Sequence, residues 1–224
     1  MSAAQSILDS WQANAANWIQ TIDNQEIESR KLITNRAIVA AVTDLQPRTV
    51  LDIGCGEGWL ARALHEQGLD VTGVDAIPAL IENAQAKGSG TFLTATYRQI
   101  ATGTVFSAQT FDLIVINFAL IDQEETDLLI HYLPNIITPG GYLVIQTLHP
   151  LSVIGSLTYQ SGWQPGSWSG MKRAFVQPYD WYFRTLGDWL RLLKNAGLRI
   201  ENLIEPLHPE TGQPASLILV AGKK

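Results

Sequence analysis

The fold of this chain is decided by nine consecutive residues, Val50-Leu51-Asp52-Ile53-Gly54-Cys55-Gly56-Glu57-Gly58. An apolar run ends in an acid, and alternating glycines then lead into a helical pattern. A strand that turns sharply into a helix presents bare backbone N–H groups to a ligand, and glycines let that ligand approach closely. The stretch therefore predicts a ligand-binding turn at the end of a first strand.

A second acid narrows the kind of ligand. Asp75 ends the next strand-like segment, where a carboxylate can accept both hydroxyls of a ribose. The dinucleotide fingerprint requires a third glycine three residues after the second, but Trp59 occupies that position. Asp52 places negative charge where a pyrophosphate would bind, and it suits a ligand with a cationic end. The pattern predicts a nucleoside ligand that carries a positive charge.

Composition bounds the class of protein. The chain has 224 residues, 46% of them hydrophobic and 16% charged, which is enough for one globular domain with a real core. The net charge of -6 argues against a nucleic-acid partner. No apolar run approaches the roughly 20 residues that span a bilayer. A single cysteine, Cys55, and an N-terminus without signal-peptide features favour a cytoplasmic location.

Strands and helices alternate regularly from residue 49 onward. Strands are predicted at residues 49–53, 70–74, 91–94, 111–117 and 142–147, with helices at 57–67, 78–86 and 124–133. A helix at 186–196 and strands at 198–205 and 216–221 follow. This alternation predicts an α/β, doubly wound sheet of seven strands. The link at 206–215 is too short for a helical crossover, so the last strand is expected to be antiparallel.

Two segments lie outside this alternation. Residues 6–45 show a helical apolar pattern, with a second helix at 26–42, and we assign residues 1–45 to an N-terminal helical cap on a core at 46–224. The cap either packs on the core or folds over the ligand. Residues 151–182 are rich in aromatic side chains and start at the ligand edge of the sheet, after strand 5. A loop this long predicts a substrate lid, or else a surface excursion with its own small cluster.

These motifs resemble a known family. The run at 51–58 resembles motif I of the class I S-adenosylmethionine-dependent methyltransferases, and the residues at 73–75 resemble the ribose motif. Residues 111–114, 133–141 and 182–197 resemble later motifs of small-molecule members of the quinone-biosynthesis type. The resemblance implies a Rossmann-like sheet, methyl transfer and S-adenosyl-L-methionine as the cofactor.

The resemblance also implies the cofactor contacts. Asp52 and the glycine turn would hold the methionine moiety, Asp75 the ribose, and Arg30 (or equally Arg36) the cofactor carboxylate. Many members carry an acid after strand 3 for the adenine amino group, but residues 94–98 contain none, which leaves backbone groups, Thr96 or Tyr97. The predicted cofactor-binding residues are Arg30, Asp52, Gly54, Cys55, Gly56, Gly58, Trp59, Asp75, Ala76, Ile77, Tyr97 and Asn117.

The acceptor is expected to be a small, partly apolar molecule, methylated at O, N or C by in-line displacement without a metal. A base is needed only if the nucleophile carries a proton. His149, directly after strand 5, and Tyr182 in the lid are the predicted catalytic residues, with Asp122 and Glu205 as further candidates for the base. The predicted acceptor-binding residues are Phe118, Asp122, Trp163, Trp168, Tyr179, Trp181, Arg184 and His208.

Two other functions and two assembly states are compatible with the pattern. The chain could bind S-adenosylmethionine or S-adenosylhomocysteine without catalysis. A nicotinamide-dependent oxidoreductase is less favoured, because the third glycine and a Tyr-x-x-x-Lys motif are missing. The sequence does not distinguish a monomer from a homodimer.

Overall fold

Seven strands form one mixed sheet in the computed structural model, which describes residues 2–154 and 158–223. The nine strands of the described residues, in chain order, are β1 Thr49–Ile53, β2 Asp70–Asp75, β3 Thr91–Thr94, β4 Phe111–Asn117, β5 Ile137–Thr147, β6 Gly162–Gln164, β7 Trp181–Phe183, β8 Leu198–Ile204 and β9 Leu217–Lys223. Strands β6 and β7 form a separate two-stranded sheet. The sheet order is β3-β2-β1-β4-β5-β9-β8. Strands β1 to β5 are parallel, and β9 runs antiparallel to both β5 and β8. The predicted seven-stranded fold with an antiparallel last strand is confirmed.

Helices cover both faces of this sheet. They are α1 Ala3–Asp23, α2 Asn35–Thr43, α3 Trp59–His65, α4 Pro78–Lys87, α5 Tyr97–Ala101, α6 Glu124–Tyr132, α7 Pro150–Ile154 and α8 Leu186–Asn195. Successive strand residues point to opposite faces. In β4, Leu113 and Val115 join one buried cluster while Ile114 and Ile116 join the other. Burial on both faces is the reason that this strand reads as a continuous apolar run.

Several local predictions differ from the structure. Helix α3 begins two residues later than expected, because Gly58 before it has a left-handed φ of +83°. Residues Arg30–Thr34 form a π-helical turn ahead of α2 rather than part of a regular helix. The capping box of Thr96 and Gln99 starts a short helix, α5, that was not predicted. Strand β5 begins at Ile137 rather than at the predicted residue 142, and its pairing with β4 is interrupted between Ile137 and Tyr142.

The lid segment has structure of its own. It contains α7 and the two-stranded antiparallel sheet of β6 and β7, and residues 155–157 of the predicted lid lie outside the described residues. Because β1, β2, β4 and β5 are parallel, their carboxyl ends meet at one edge of the sheet, which is where ligands bind in open α/β folds. Within the described part of the chain, no helix is both long and apolar enough to cross a membrane.

Candidate active site

The glycine turn follows β1 in a conformation that only glycine adopts easily. The φ angles of Gly54, Gly56 and Gly58 are +73°, +57° and +83°. A Cβ atom on Gly54 would lie 2.4 Å from the Cβ of Ala119. The turn is therefore pressed against the segment that follows β4, and both the backbone angle and the close approach require glycine at this position.

The acid of the turn is held by ion pairs. Glu57 is buried, and its Oε2 accepts hydrogen bonds from Nη2 of Arg62 and Nζ of Lys87, both at 2.7 Å. A buried carboxylate without a cationic partner would be costly. These pairs tie the turn to α3 and α4, and sequence reasoning did not identify them.

Two further carboxylates lie at the carboxyl ends of β1 and β2. Asp75 accepts hydrogen bonds from the backbone N–H groups of Gly56 and Ile77, each at 2.9 Å. Asp52 is 1% exposed, and its Oδ2 has no hydrogen-bond partner among the described residues. Burial, together with the negative charge of Asp75, raises the pKa of Asp52 to about 8. A cationic ligand would stabilise the ionised form of this buried acid.

Arg30 places a buried cation in the same region. Its guanidinium lies over the rings of Trp59, at 4.8 Å, and Trp18, at 5.7 Å. Nε donates to Oδ1 of Asn35, while Nη2 is buried and has no partner among the described residues. Burial lowers the pKa of Arg30 to about 10, and the charge of Glu57 opposes this shift. The free Nη2 can donate to an anionic group, and π-helical turns such as this one are frequent at functional sites.

Tyr97 lies close to the turn at the start of α5. Its hydroxyl donates to the carbonyl of Ala119 at 2.9 Å. Burial and then the charge of Asp75 raise the pKa of Tyr97 above its usual value, so the hydroxyl stays protonated. The Thr96 hydroxyl donates to Oε1 of Gln99 at 3.2 Å and accepts from the backbone N–H of Gln99 as part of the capping box. Neither side chain is therefore a free donor.

A cavity of about 760 Å³ connects the glycine turn to the aromatic segment at 163–183. The predicted residues that line it are Arg30, Asp52, Gly54, Cys55, Gly56, Trp59, Asp75, Ala76, Ile77, Asn117, Tyr97, Phe118, Asp122, Trp168, Tyr179, Trp181, Tyr182 and Arg184. Sites for small ligands measure roughly 300–1,000 Å³ and are mostly apolar with a few polar groups. The cavity fits this description.

Four predicted residues lie outside the cavity wall: Gly58, Trp163, His149 and His208. Gly58 packs behind the turn, where an added Cβ would lie 2.8 Å from the ring of Phe92. Trp163 is 40% exposed and stacks edge-on against Tyr182 at 5.5 Å. In both cases packing, rather than ligand contact, accounts for the position.

The two histidines hold loops at the edge of the sheet. Nε2 of His149 lies 2.7 Å from Oε1 of Glu205, and its Nδ1 accepts from the backbone N–H of Leu151 at 3.1 Å. His208 lies in the β8–β9 link, and its Nδ1 accepts from the N–H of Glu210. Leu148, the first residue after β5, lines the cavity, whereas His149 does not, so the catalytic role of His149 stays a prediction that the geometry does not support.

Arg184 was expected to face the acceptor, yet its N–H groups bind protein. It is buried and donates to the carbonyls of Asp122 and Gln123 and to Oδ1 of Asp127, at 3.3, 3.0 and 2.6 Å. Its guanidinium also lies 4.8 Å from the ring of Tyr182. These contacts fasten the segment after β4 to the lid strand β7, although Arg184 also lines the cavity.

Helix α1 supplies part of the cavity wall through two side chains that were not among the predicted site residues. Trp11 and Trp18 line the cavity, with their ring centroids 5.1 Å apart. Trp11 also packs against Trp168 and Tyr179 of the lid segment, at 5.5 and 6.4 Å. The helical stripe of tryptophans was visible in the sequence, but the stripe alone does not say which surface it faces.

Hydrogen bonds join α1 to the lid segment. Oδ1 of Asn14 accepts from the backbone N–H of Val176 at 2.8 Å, and its Nδ2 donates to the Val176 carbonyl at 2.7 Å. Arg173 forms an ion pair with Glu26 at 2.7 Å. The N-terminal helix and the lid segment, which is inserted within the core, thus meet over the cavity. Across the described residues, no group of three or more His, Cys, Asp or Glu side chains is arranged to hold a metal.

Comparisons with known proteins agree with this geometry. The family model described as a methyltransferase domain matches residues 25–203. A ubiquinone biosynthesis O-methyltransferase of Xanthomonas oryzae is 28% identical over 207 residues, covering 89% of this chain and 82% of the relative. The corresponding enzyme of Rickettsia canadensis is 26% identical over 171 residues, covering 74% and 69%.

A solved structure shares the fold. Magnesium protoporphyrin IX methyltransferase from Synechocystis, crystallised with S-adenosylmethionine, superimposes with a TM-score of 0.68 at 18% identity, covering all of this chain and 98% of that one. At this identity the likeness concerns the fold. Taken with the family match over most of the chain, these findings show that the chain belongs to the methyltransferase domain family and is an S-adenosylmethionine-dependent methyltransferase.

Proposed function

We propose that this enzyme transfers the methyl group to a small, partly apolar acceptor by in-line displacement and without a metal. The observation that carries the proposal is the single cavity that runs from the glycine turn to the aromatic lid segment. A cavity of about 760 Å³ suits one cofactor with a small acceptor beside it. The name of the two curated relatives favours a hydroxyl oxygen as the accepting atom.

The buried polar groups fit the cofactor. In this proposal Asp75 accepts the ribose hydroxyls, Arg30 binds the methionine carboxylate, and the unpartnered carboxylate of Asp52 stabilises the positive end. The adenine lies against Ala76 and Ile77, near Tyr97. When bound, the cofactor supplies a methyl group on a cationic sulfur, whose charge disappears as the methyl leaves. Two buried atoms without a partner in the described chain, Oδ2 of Asp52 and Nη2 of Arg30, support this assignment.

The remaining chemistry is alignment and exclusion of water. Because charge is lost rather than created on the sulfur, the protein needs little of the stabilisation that an oxyanion would require. Holding the two reactants in line supplies much of the rate enhancement, and a dry site prevents hydrolysis. Aromatic faces suit both tasks, because they are apolar and also attract the sulfonium charge. The cap at 1–45 and the lid at 151–182 serve as the cover, with Trp168 and Tyr182 over the acceptor.

Titration calorimetry tests the cofactor half of this proposal. S-adenosylmethionine and S-adenosylhomocysteine are expected to bind in the micromolar range, and NAD is not. Asp70→Asn is a matched control for Asp75→Asn, because Asp70 is an exposed acid at the start of the same strand. Loss of binding in both variants would indicate a general effect of charge and would contradict the ribose assignment.

A screen of acceptors tests the other half. The purified enzyme is incubated with S-adenosylmethionine and, separately, with phenols, amines, carboxylic acids, total RNA and a protein extract, and release of S-adenosylhomocysteine is measured. Methylation within one small-molecule class, unchanged by EDTA, is the expected result. Transfer only to RNA or protein would refute the small acceptor, and loss of activity in EDTA would refute the absence of a metal.

A further inference from the structure

One carboxylate in the cavity, named above among the candidates for the base, has no part in the cofactor contacts. Asp122 lies in the segment between β4 and α6, and it lines the cavity while being only 6% exposed. The segment is held at both ends. Ala119 touches the glycine turn, and the carbonyl of Ile121 accepts from the N–H of Tyr182 in the lid strand β7 at 2.9 Å. Asp122 is thus fixed between the cofactor side and the lid side of the cavity.

The two oxygens of Asp122 have different surroundings. Oδ1 accepts from the backbone N–H of Glu125 at 2.7 Å, which caps the first turn of α6. No donor among the described residues reaches Oδ2, because the neighbouring guanidinium of Arg184 donates to the backbone of Asp122 and Gln123 and to the carboxylate of Asp127. One oxygen is used in the fold, and the other is free to accept a proton.

The charges around Asp122 come from two elements. Burial and the nearby carboxylates of Glu125 and Glu124 raise the pKa of Asp122, while the Glu125 N–H and the Arg184 guanidinium oppose the shift. Across the cavity, the charge of Asp122 also helps to raise the pKa of Tyr97. A carboxyl group whose pKa moves toward neutrality is better matched to proton transfer than an ordinary one.

Other groups along the cavity wall are already engaged. Asp52 and Asp75 belong to the cofactor end. The Tyr97 hydroxyl donates to Ala119, and Glu125 forms an ion pair with Arg98. His149 lies outside the wall and contacts Glu205. Among the described cavity residues, Asp122 is the carboxylate that remains for the acceptor.

We propose that Asp122 is the general base of the reaction, a step that rests on the proposed function. Its Oδ2 accepts the proton of an acceptor hydroxyl as the oxygen attacks the methyl carbon. An O–C bond forms, the C–S bond breaks, and its electron pair stays on the sulfur. The carboxylate becomes a neutral carboxyl group, the sulfonium a neutral thioether, and the acceptor a neutral methyl ether, so atoms and charges balance.

The test compares two phenols that differ in their need for a base. Phenol is protonated at pH 7.5, whereas 4-nitrophenol is largely ionised at pH 8.5. In Asp122→Asn the amide oxygen can still accept from Glu125, so the helix cap is kept. We expect the variant to lose at least about 100-fold in kcat/KM for phenol but less than about tenfold for 4-nitrophenol. Asp70→Asn, which neutralises an exposed acid outside the cavity wall, is the control and is expected to change both kcat/KM values by less than about twofold.

An optical measurement without turnover accompanies the kinetics. In the complex with S-adenosylhomocysteine, ionised Asp122 disfavours the phenolate form of bound 4-nitrophenol. The absorbance of bound phenolate at pH 7.5 should therefore be higher in Asp122→Asn than in wild type. Equal losses of kcat/KM for the two phenols, or equal phenolate absorbance in the variant and the wild type, would refute the assignment of Asp122 as the base. Failure of the proposed function gives a different result: wild type would bind S-adenosylmethionine, yet it would methylate no small-molecule class in the acceptor screen. Methylation of amines or carboxylic acids without any phenol would refute the hydroxyl acceptor and, with it, the role of Asp122 as its base.

Discussion

Replacing Gly54 with alanine tests how closely the cofactor turn depends on its neighbour. The new Cβ would lie 2.4 Å from the Cβ of Ala119, whereas carbon atoms pack at about 3.5–4.0 Å. A left-handed φ of +73° adds about 1–2 kcal/mol for any residue with a Cβ. Overpacking adds about 1–3 kcal/mol. We expect Gly54→Ala to lower the free energy of unfolding by about 2–5 kcal/mol and to weaken binding of S-adenosylhomocysteine.

Two controls separate the contributions. Gly68 has a φ of +86°, but nothing lies within 4 Å of the position of its Cβ. Gly68→Ala should therefore cost only the backbone term of about 1–2 kcal/mol. Adding Ala119→Gly to Gly54→Ala removes the second methyl group and should restore at least about 1 kcal/mol as a coupling energy. Urea unfolding measures the stabilities, and calorimetry with S-adenosylhomocysteine measures binding.

The reasoning fails if Gly54→Ala is no more destabilised than Gly68→Ala, because the close approach would then carry no energy. It also fails if Ala119→Gly gives no recovery in the double variant. Equal binding of S-adenosylhomocysteine by wild type and Gly54→Ala would show that the turn does not take part in cofactor binding.

Three further predictions concern the cofactor acids and the cover of the cavity. Asp75→Ala should weaken the binding of S-adenosylmethionine, measured by calorimetry, at least about tenfold, since two hydrogen bonds to a charged acceptor are lost. Unchanged affinity would contradict the assignment of Asp75 to the ribose. The pKa of Asp52 is about 8 in the folded protein against 3.8 unshifted, so folding stability should fall as pH rises from about 4 to 8. Asp52→Asn should make the free energy of unfolding, measured by urea titration at several pH values, depend less on pH. An unchanged pH dependence would contradict the raised pKa of Asp52. Asn14→Ala removes both hydrogen bonds to Val176 and should destabilise the contact between α1 and the lid by about 1–3 kcal/mol. The expected measurement is faster hydrogen exchange at the Val176 amide. Unchanged protection of that amide would show that other contacts hold the lid.

The architecture follows from local patterns. The apolar runs that form β1 and β4 are continuous because helices cover both faces of the sheet. The glycines follow β1 at the positions where the backbone adopts positive φ angles. The reversed last strand follows from the short link before it: residues 205–216 contain no helix, and a parallel strand would need a helical crossover of about a dozen residues or more. Each of these features depends on residues close together in the chain.

Local exceptions were harder to predict. The π-helical turn at Arg30–Thr34 has an ordinary helical sequence, and the stacking of Arg30 between Trp18 and Trp59 accompanies the changed winding. Helix α5 is a single short turn whose capping box was overlooked. Gly140 and Gly141 lie within the bounds of β5, but neither pairs with β4: the register passes from Phe111 opposite Ile137 to Leu113 opposite Tyr142.

By itself, the sequence determined the fold class, the position of the cofactor turn and the two acids beside it, since hydrogen-bond periodicity and glycine backbone angles act over a few residues. Only the tertiary structure decided which side chains meet in the cavity. His149 and Asp122 both follow strands that end at the same edge, yet one faces Glu205 outside the cavity and the other lies in its wall. These positions depend on contacts that are distant in the chain: Glu205 follows His149 by 56 residues, and Arg184, which donates to the Asp122 carbonyl, follows Asp122 by 62 residues. Contacts over such distances leave no periodic signal in the sequence.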